Sequence, residues 1–545
     1  VTDWWRTAVV YQIYPRSFAD GNGDGIGDFE GATSRLKYLH GLGVDAVWLS
    51  PFYLSPQRDG GYDVADYREV DPVFGTVADA EAFIHRAHEL GIRVVIDVVP
   101  NHTSSEHRFF QEALVSEPGS PAWARYHCVE GGGAGGVEPP NGWQSIFGGS
   151  AWSPITAPDG APSGWWYLHL FDSSQPDVNW SHPDVVEEFD ATLRFWFDRG
   201  VDGVRIDVAH GLVKAAGYPE VHPPEGGGAP VTWATPYFDQ PEVHGIYRRW
   251  RHIADSYDPP RIFVAEAWLD SPEKRARYLR EGELHTAFNF DLTIAEWDPA
   301  QWRASIDASL AADALVGAPT TWVTENHDVR RAPTRYGSRV LHRELPDPED
   351  VARGRARSLA ATMAILALPG TAYLYNGQEL GLEEVIDLPD ALRQDPQFAR
   401  TAGAWLGRDG CRVPLPWRRA GSSLGFGPDG GAPPWLPQPA SWSDLSVEAQ
   451  DGLDVSFLER VRAALSARRS NASLLHGGFE WADDITGDGV LAFRRHLNGA
   501  PALLCAVNMG SAPVSLPTGG VLCASVVLRE VGVLPPDSAV WLIEV

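Results

Sequence analysis

Short apolar runs recur along this chain, each followed by a loop and then a segment of helical periodicity. Eight such runs stand at residues 9–14, 44–50, 93–99, 201–207, 262–266, 286–290, 321–324 and 371–375. Most are rich in Val, Ile, Phe and Tyr, as buried strands are. Residues 78–90, 183–199 and 352–366, lying between them, read as helices. Alternation of strand and helix predicts a parallel sheet. Eight repeats predict an α/β fold of the (β/α)8 TIM barrel type, whose active site lies at the C-terminal ends of the strands.

Two insertions interrupt the rhythm. The segment between the third and fourth strands is rich in Gly, Pro, Trp and Ser and is too long for an ordinary loop. It reads as an inserted subdomain over 102–174 that walls the active site. A second Gly/Pro-rich excursion occupies 377–448, after the eighth strand. The barrel is thus expected over 1–101 and 175–470, with its last helix near 455–469. Strand-like runs at 490–494, 502–507, 521–528 and 539–545 predict a C-terminal β-sandwich over 471–545.

Composition narrows the function classes. The chain has 545 residues and a net charge of −28. Nucleic acid is excluded as a partner, because phosphate contacts require a basic surface. No apolar run reaches the roughly 18–20 residues of a membrane span, and no signal peptide is visible at Val1, so a cytoplasmic location is expected. Four scattered cysteines without a CxxC argue against zinc and predict free thiols, with a Cys505–Cys523 bridge the one pairing left open. Oligomeric state is not legible.

The chemistry is carried by carboxylates at strand ends. In Gly203-Val204-Arg205-Ile206-Asp207, alternation turns Val204 and Ile206 toward the helices, and Arg205 and Asp207 toward the barrel axis. Such charges are costly to bury unless paired or used. A buried ion pair would explain this segment alone; so would a carboxylate nucleophile kept ionised by its Arg neighbour. The pattern recurs, however. Glu266 ends the fifth run among apolar and aromatic neighbours, the setting a general acid requires. Asp328 follows the seventh run, and Asp97 lies in the third. Two carboxylates flanking a scissile bond are what glycoside hydrolysis needs, and a retaining enzyme holds them about 5–5.5 Å apart.

With these residues in place, the chain resembles the α-amylase superfamily of glycoside hydrolases (family 13), and within it the α-glucosidase and oligo-1,6-glucosidase branch. The motifs stand in order: 97–102, Gln175-Pro176-Asp177-Val178-Asn179, 203–207, Glu266, Asn326-His327-Asp328 and 370–378. The resemblance implies Asp207 as nucleophile, Glu266 as acid/base and Asp328 as stabiliser of the transition state. It implies that Asp63 and Arg412 grip the terminal glucose and close the pocket, making the enzyme exo-acting. It further implies hydroxyl contacts from His102 and His327, an aromatic wall from Tyr62 and Phe147, and Arg205 among the substrate-binding residues. Val208, next to the nucleophile, resembles enzymes that cut α-1,6 bonds, with α-1,4 bonds also open. The loop Asp20-Gly21-Asn22-Gly23-Asp24-Gly25-Ile26-Gly27-Asp28 resembles a structural Ca2+ site with ligands Asp20, Asn22, Asp24, the Ile26 carbonyl and Asp28; no organic cofactor is implied. Small α-glucosides are the expected partners.

Two alternatives are kept. A glucosyl-transferring relative, of the sucrose isomerase or trehalose synthase type, shares the same intermediate. The Arg-Leu-Asp-Arg-Asp loop of sucrose isomerases is absent here, where the sequence reads Val329-Arg330-Arg331-Ala332-Pro333-Thr334-Arg335. A non-catalytic binding relative would lack the carboxylates that this chain retains.

Overall fold

The computed structural model describes residues 3–156, 160–221, 235–337 and 345–544. Eight parallel strands form one sheet: β1 (Val9–Ile13), β2 (Ala46–Leu49), β3 (Arg93–Val98), β4 (Gly203–Ile206), β5 (Ile262–Ala265), β6 (Thr286–Ala287), β7 (Thr321–Val323) and β8 (Thr371–Tyr375). Their order is β6-β5-β4-β3-β2-β1-β8-β7. Between β6 and β7 the backbone ladder gives way to side chains. The Thr321 hydroxyl donates to Ala287 O, and Thr293 Oγ1 donates to Val323 O at 2.8 Å. The barrel is closed there by threonines.

The helices that follow the strands are α1 (Phe29–Leu42), α2 (Val77–Glu89), α3 (Pro183–Asp198), α4 (Val243–Asp255), α5 (Pro272–Arg277), α6 (Pro299–Ala314), α7 (Pro348–Ala367) and α8 (Phe457–Ser470). Side chains of β1 alternate as expected: Val9, Tyr11 and Ile13 join the helix-facing core, while Val10 packs inside the barrel with Trp48, Val95, Val264, Val323 and Tyr373. The sixth run is shorter as a strand than its sequence suggests. Asn289 caps Leu292 N, and Phe290–Ile294 turns helical.

The insertion after β3 carries a three-stranded antiparallel sheet from Cys128–Glu130, Pro162–Leu168 and Trp152–Thr156. Its core of Trp143, Trp152, Leu168 and Leu170 continues into Val208, Tyr237 and Phe238 of the barrel loops. At the C-terminus, β9 (Gly478–Trp481), β10 (Val490–His496), β11 (Leu503–Asn508), β12 (Gly519–Ala524) and β13 (Ser538–Glu544) form an antiparallel sheet in the order β9-β10-β11-β13-β12. One face meets a two-stranded ribbon through Val514 and Leu534; the other joins the barrel core through Phe493, Leu503, Cys505 and Trp541. Two buried arginines secure this junction. Arg468 donates to Leu366 O and Leu368 O, and Arg495 donates to Ala367 O, satisfying the carbonyls at the end of α7.

The four cysteines are free. Cys505 and Cys523 both face Trp541, from strands on either side of β13. Two strand spacings, about 9.5 Å, exceed the roughly 7 Å that a disulfide tolerates, so the bridge left open by the sequence does not form. No helix among the described residues is long and apolar enough to cross a membrane.

Candidate active site

A cavity of ≈ 320 Å³ opens at the C-terminal ends of the strands, and Asp207, Glu266 and Asp328 all line it. Arg205 lies beneath them. Its Nη1 reaches Asp97 Oδ1 at 2.8 Å and Asp207 Oδ1 at 2.6 Å, and its Nη2 reaches Glu266 Oε2 at 3.0 Å. The strand register dictates this, because Asp97 on β3 and Val264 on β5 flank Arg205 in adjacent ladders. Arg205 is 1% exposed and is not part of the cavity wall. It holds the three carboxylates from below.

Burial works against charge on two of the carboxyls around this guanidinium, Asp97 and Asp207. Burial pushes Asp97 up to about 7, against the pull of Arg205. It pushes Asp207 up as well; Arg205 opposes this, and Glu266 and Asp97 add to it. Arg205 thus opposes, at both Asp97 and Asp207, the rise that burial imposes. Asp328 behaves oppositely. Burial raises its carboxyl, but the charges of Arg408 and Arg412 outweigh burial and hold it well below the usual range. Arg408 Nη1 and Arg412 Nη2 each reach Asp328 Oδ1 at 3.1 Å.

Glu266 is set among donors rather than in a purely apolar niche. Val208 N donates to its Oε2 at 2.9 Å, and Trp268 Nε1 donates to Oε1 at 3.1 Å. The two histidines are buried. Burial lowers His102 to about 4 and takes His327 well below its ordinary value, so both are neutral at pH 7. Gln12 Nε2 lies 2.7 Å from His327 Nδ1, and Tyr62 Oη lies 2.6 Å from its Nε2. Tyr62 also stacks on His327 and donates to Asp97 Oδ2 at 3.0 Å. Phe147 lines the cavity with the guanidinium of Arg408 5.1 Å from its ring centroid.

The pair expected to close the pocket is displaced by four residues at each position. Asp63 is fully buried away from the cavity and accepts from Ser55 Oγ, Arg58 N and Asp59 N. Arg412 donates to His327 O and braces Asp328. Neither lines the cavity; Asp59 and Arg408 do, joined at 2.6 Å. Asp59 also accepts from Gln175 Nε2 at 3.0 Å, and burial raises it to about 6 against the pull of Arg408. Asp63 instead builds the turn that presents Asp59. The signal was legible as Gly60-Gly61, whose φ of 59° and 101° let the chain reverse.

Other wall residues were missed because they arrive from the insertions and loops: Ile146, Phe171, His210, Phe238, Trp268 and Gln397. Arg400 joins the two insertions by donating through Nε and Nη2 to Gly148 O, at 3.0 and 2.6 Å.

The loop expected to hold calcium is closed on itself. Asp20 accepts from Gly23 N and Gly25 N, Asp24 from Ile26 N, and Asn22 Oδ1 from Asp24 N. Asp28 accepts from Gly21 N, Asn22 N and Gly31 N and caps α1. Among the described residues, no three His, Cys, Asp or Glu side chains converge to hold an ion. The loop carboxylates are thus engaged by backbone amides.

A TIM barrel with carboxylates at its catalytic end and an inserted wall defines a class, the barrel glycoside hydrolases. The comparisons place the chain within it. The alpha-amylase catalytic domain model matches residues 12–477, and a domain of unknown function (DUF3459) matches 484–541. The chain belongs to the alpha-amylase family and is a glycoside hydrolase. It is 37% identical to a probable alpha-glucosidase of Rhizobium meliloti (strain 1021), over 93% of this chain and 89% of the relative. It is 33% identical to an oligo-1,6-glucosidase of Parageobacillus thermoglucosidasius, over 88% and 85%. The crystal structure of the alpha-glucosyl transfer enzyme XgtA superposes with a TM-score of 0.87 at 35% identity, covering 99% of each chain.

Proposed function

We propose that this enzyme is a retaining, exo-acting α-glucosidase that removes terminal glucose from short α-1,6- and α-1,4-linked oligosaccharides. The observation that carries this reading is the cavity itself. Asp207 and Glu266 stand at its base, and the Asp59–Arg408 pair forms part of its wall. In this reading Asp207 attacks C1 as Glu266 protonates the departing oxygen, giving a covalent glucosyl–Asp207 intermediate. Glu266 then takes a proton from water, whose oxygen adds to C1 and frees Asp207. Asp328, held ionised by two arginines, anchors sugar hydroxyls, and neutral His102 and His327 supply further polar contacts. Arg408 and Asp59 stop the chain beyond the first sugar.

Glucose release from isomaltose, maltose, maltotriose, sucrose and trehalose tests the reading. Isomaltose and maltose are expected to be cleaved. Glu266→Gln should lower kcat about 10²–10⁴-fold on both. A folded wild-type protein that releases no glucose from any of the five sinks it.

The second reading, glucosyl transfer, is favoured by the likeness to a glucosyl transfer enzyme. Both readings use the same intermediate. The ratio of transfer product to free glucose at high sugar concentration separates them.

Calcium at Asp20–Asp28 is a further proposal, on the strength of the Asp-x-Asn-x-Asp-x-Ile-x-Asp pattern. An ion there would have to displace hydrogen bonds within the loop. Saturating Ca2+ against chelator should raise Tm by about 2 °C or more. An unchanged Tm rejects the site.

A further inference from the structure

We propose that the strained backbone of Val208 is a positioning device: its amide fixes Oε2 of Glu266, leaving Oε1 as the atom that holds and delivers the proton. The inference deepens the reading of Glu266 as acid/base and rests on it.

Val208 has φ 45°. A β-branched residue in the left-handed region is an outlier, and such outliers persist only where the surroundings over-determine them. Here three backbone bonds do so. Asp207 N donates to Val98 O at 2.9 Å, Ala209 N to Glu266 O at 2.7 Å and Gly211 N to Val208 O at 2.8 Å. The side chain has room only because residue 211 is glycine. A Cβ there would stand 2.7 Å from Val208 Cγ1 and 3.1 Å from Asn101 Oδ1. This turn aims the Val208 N–H at the acid/base carboxyl of the neighbouring strand.

The two oxygens of Glu266 are thereby made unequal. Oε2 faces two donors that cannot reverse, the Val208 amide at 2.9 Å and Arg205 Nη2 at 3.0 Å. A proton on Oε2 would meet N–H groups head-on. Oε1 meets Trp268 Nε1 at 3.1 Å and, when protonated, keeps a lone pair for that bond. The proton therefore sits on Oε1. As the bond from C1 to the glycosidic oxygen breaks, that oxygen takes the Oε1 proton, and Asp207 forms the new bond to C1. Glu266 is left as a carboxylate with all three donors in place. In the return step Oε1 takes a proton from the incoming water.

The test replaces the Val208 amide by an ester, through incorporation of 2-hydroxy-3-methylbutanoate at this position. The side chain stays and only the N–H is lost. kcat/KM is measured on a disaccharide, which needs proton donation, and on α-glucosyl fluoride, which does not. The ester protein should lose about tenfold or more on the disaccharide and stay within about twofold on the fluoride. Equal losses on both substrates, or no loss on either, overturn the proposal. If the ester protein does not fold, neutron diffraction of the wild type at the acid end of its activity range decides. A deuteron on Glu266 Oε1 supports the proposal; one on Oε2, or on neither oxygen, overturns it. That measurement does not depend on which sugar is hydrolysed, so the inference and the functional reading fail separately.

Discussion

Arg205 and Glu325 illustrate two uses of a buried charge. Arg205 holds three carboxyls and is itself held by them. Glu325 lies two residues beyond β7, just before the Asn326–Asp328 loop, 1% exposed, with Arg331 3.8 Å away. Burial raises it to about 7, only partly offset by Arg331 and Arg335. A carboxyl raised on folding contributes stability below its unfolded pKa, and that contribution is lost as pH rises through about 7. Glu325→Gln should therefore flatten the fall in stability between pH 5 and 8, with a gain over wild type approaching about 3 kcal/mol at the alkaline end. Denaturant unfolding across that range checks this; parallel curves for the two proteins would refute it. At this scale much was legible. Strand alternation alone placed Arg205 and Asp207 on the barrel axis. Which side chain of a turn reaches the pocket was not legible, as Asp63 and Arg412 show: neighbours four residues away took the places expected of them.

Elements carry the next level. Strand and helix periodicity survives folding because both faces of each barrel strand are buried against fixed partners. The sixth and seventh runs were less readable, since caps and threonine side chains decide where a strand ends. The two insertions have no periodicity of their own, and their meeting depends on Arg400. It ties the Pro396–Arg400 helix to Gly148, next to Phe147, and lies 3.4 Å from Asp172. Arg400→Ala should loosen the wall formed by Phe147, Gln397 and Arg408. KM on disaccharides is expected to rise about tenfold, in line with loss of charge-assisted hydrogen bonds, with kcat less affected. A normal KM, or a loss confined to kcat, would show that the bridge does not shape the pocket.

Across the whole molecule, the barrel supplies the reacting carboxyls and the insertions supply the enclosure. The C-terminal sheet seals the end of α7 through Arg468 and Arg495 and buries Leu503, Cys505 and Trp541 against the barrel helices. The sequence by itself determined the barrel, the order of its strands and the carboxyls at their ends, because periodicity and alternation are local consequences of backbone geometry. Only the tertiary structure decided that Asp59 and Arg408 form the pocket wall, that one arginine serves three carboxyls, and that Val208 turns its amide toward Glu266. Those relations join residues up to 349 positions apart, and burial and distance between such residues are set by packing rather than by the spacing along the chain.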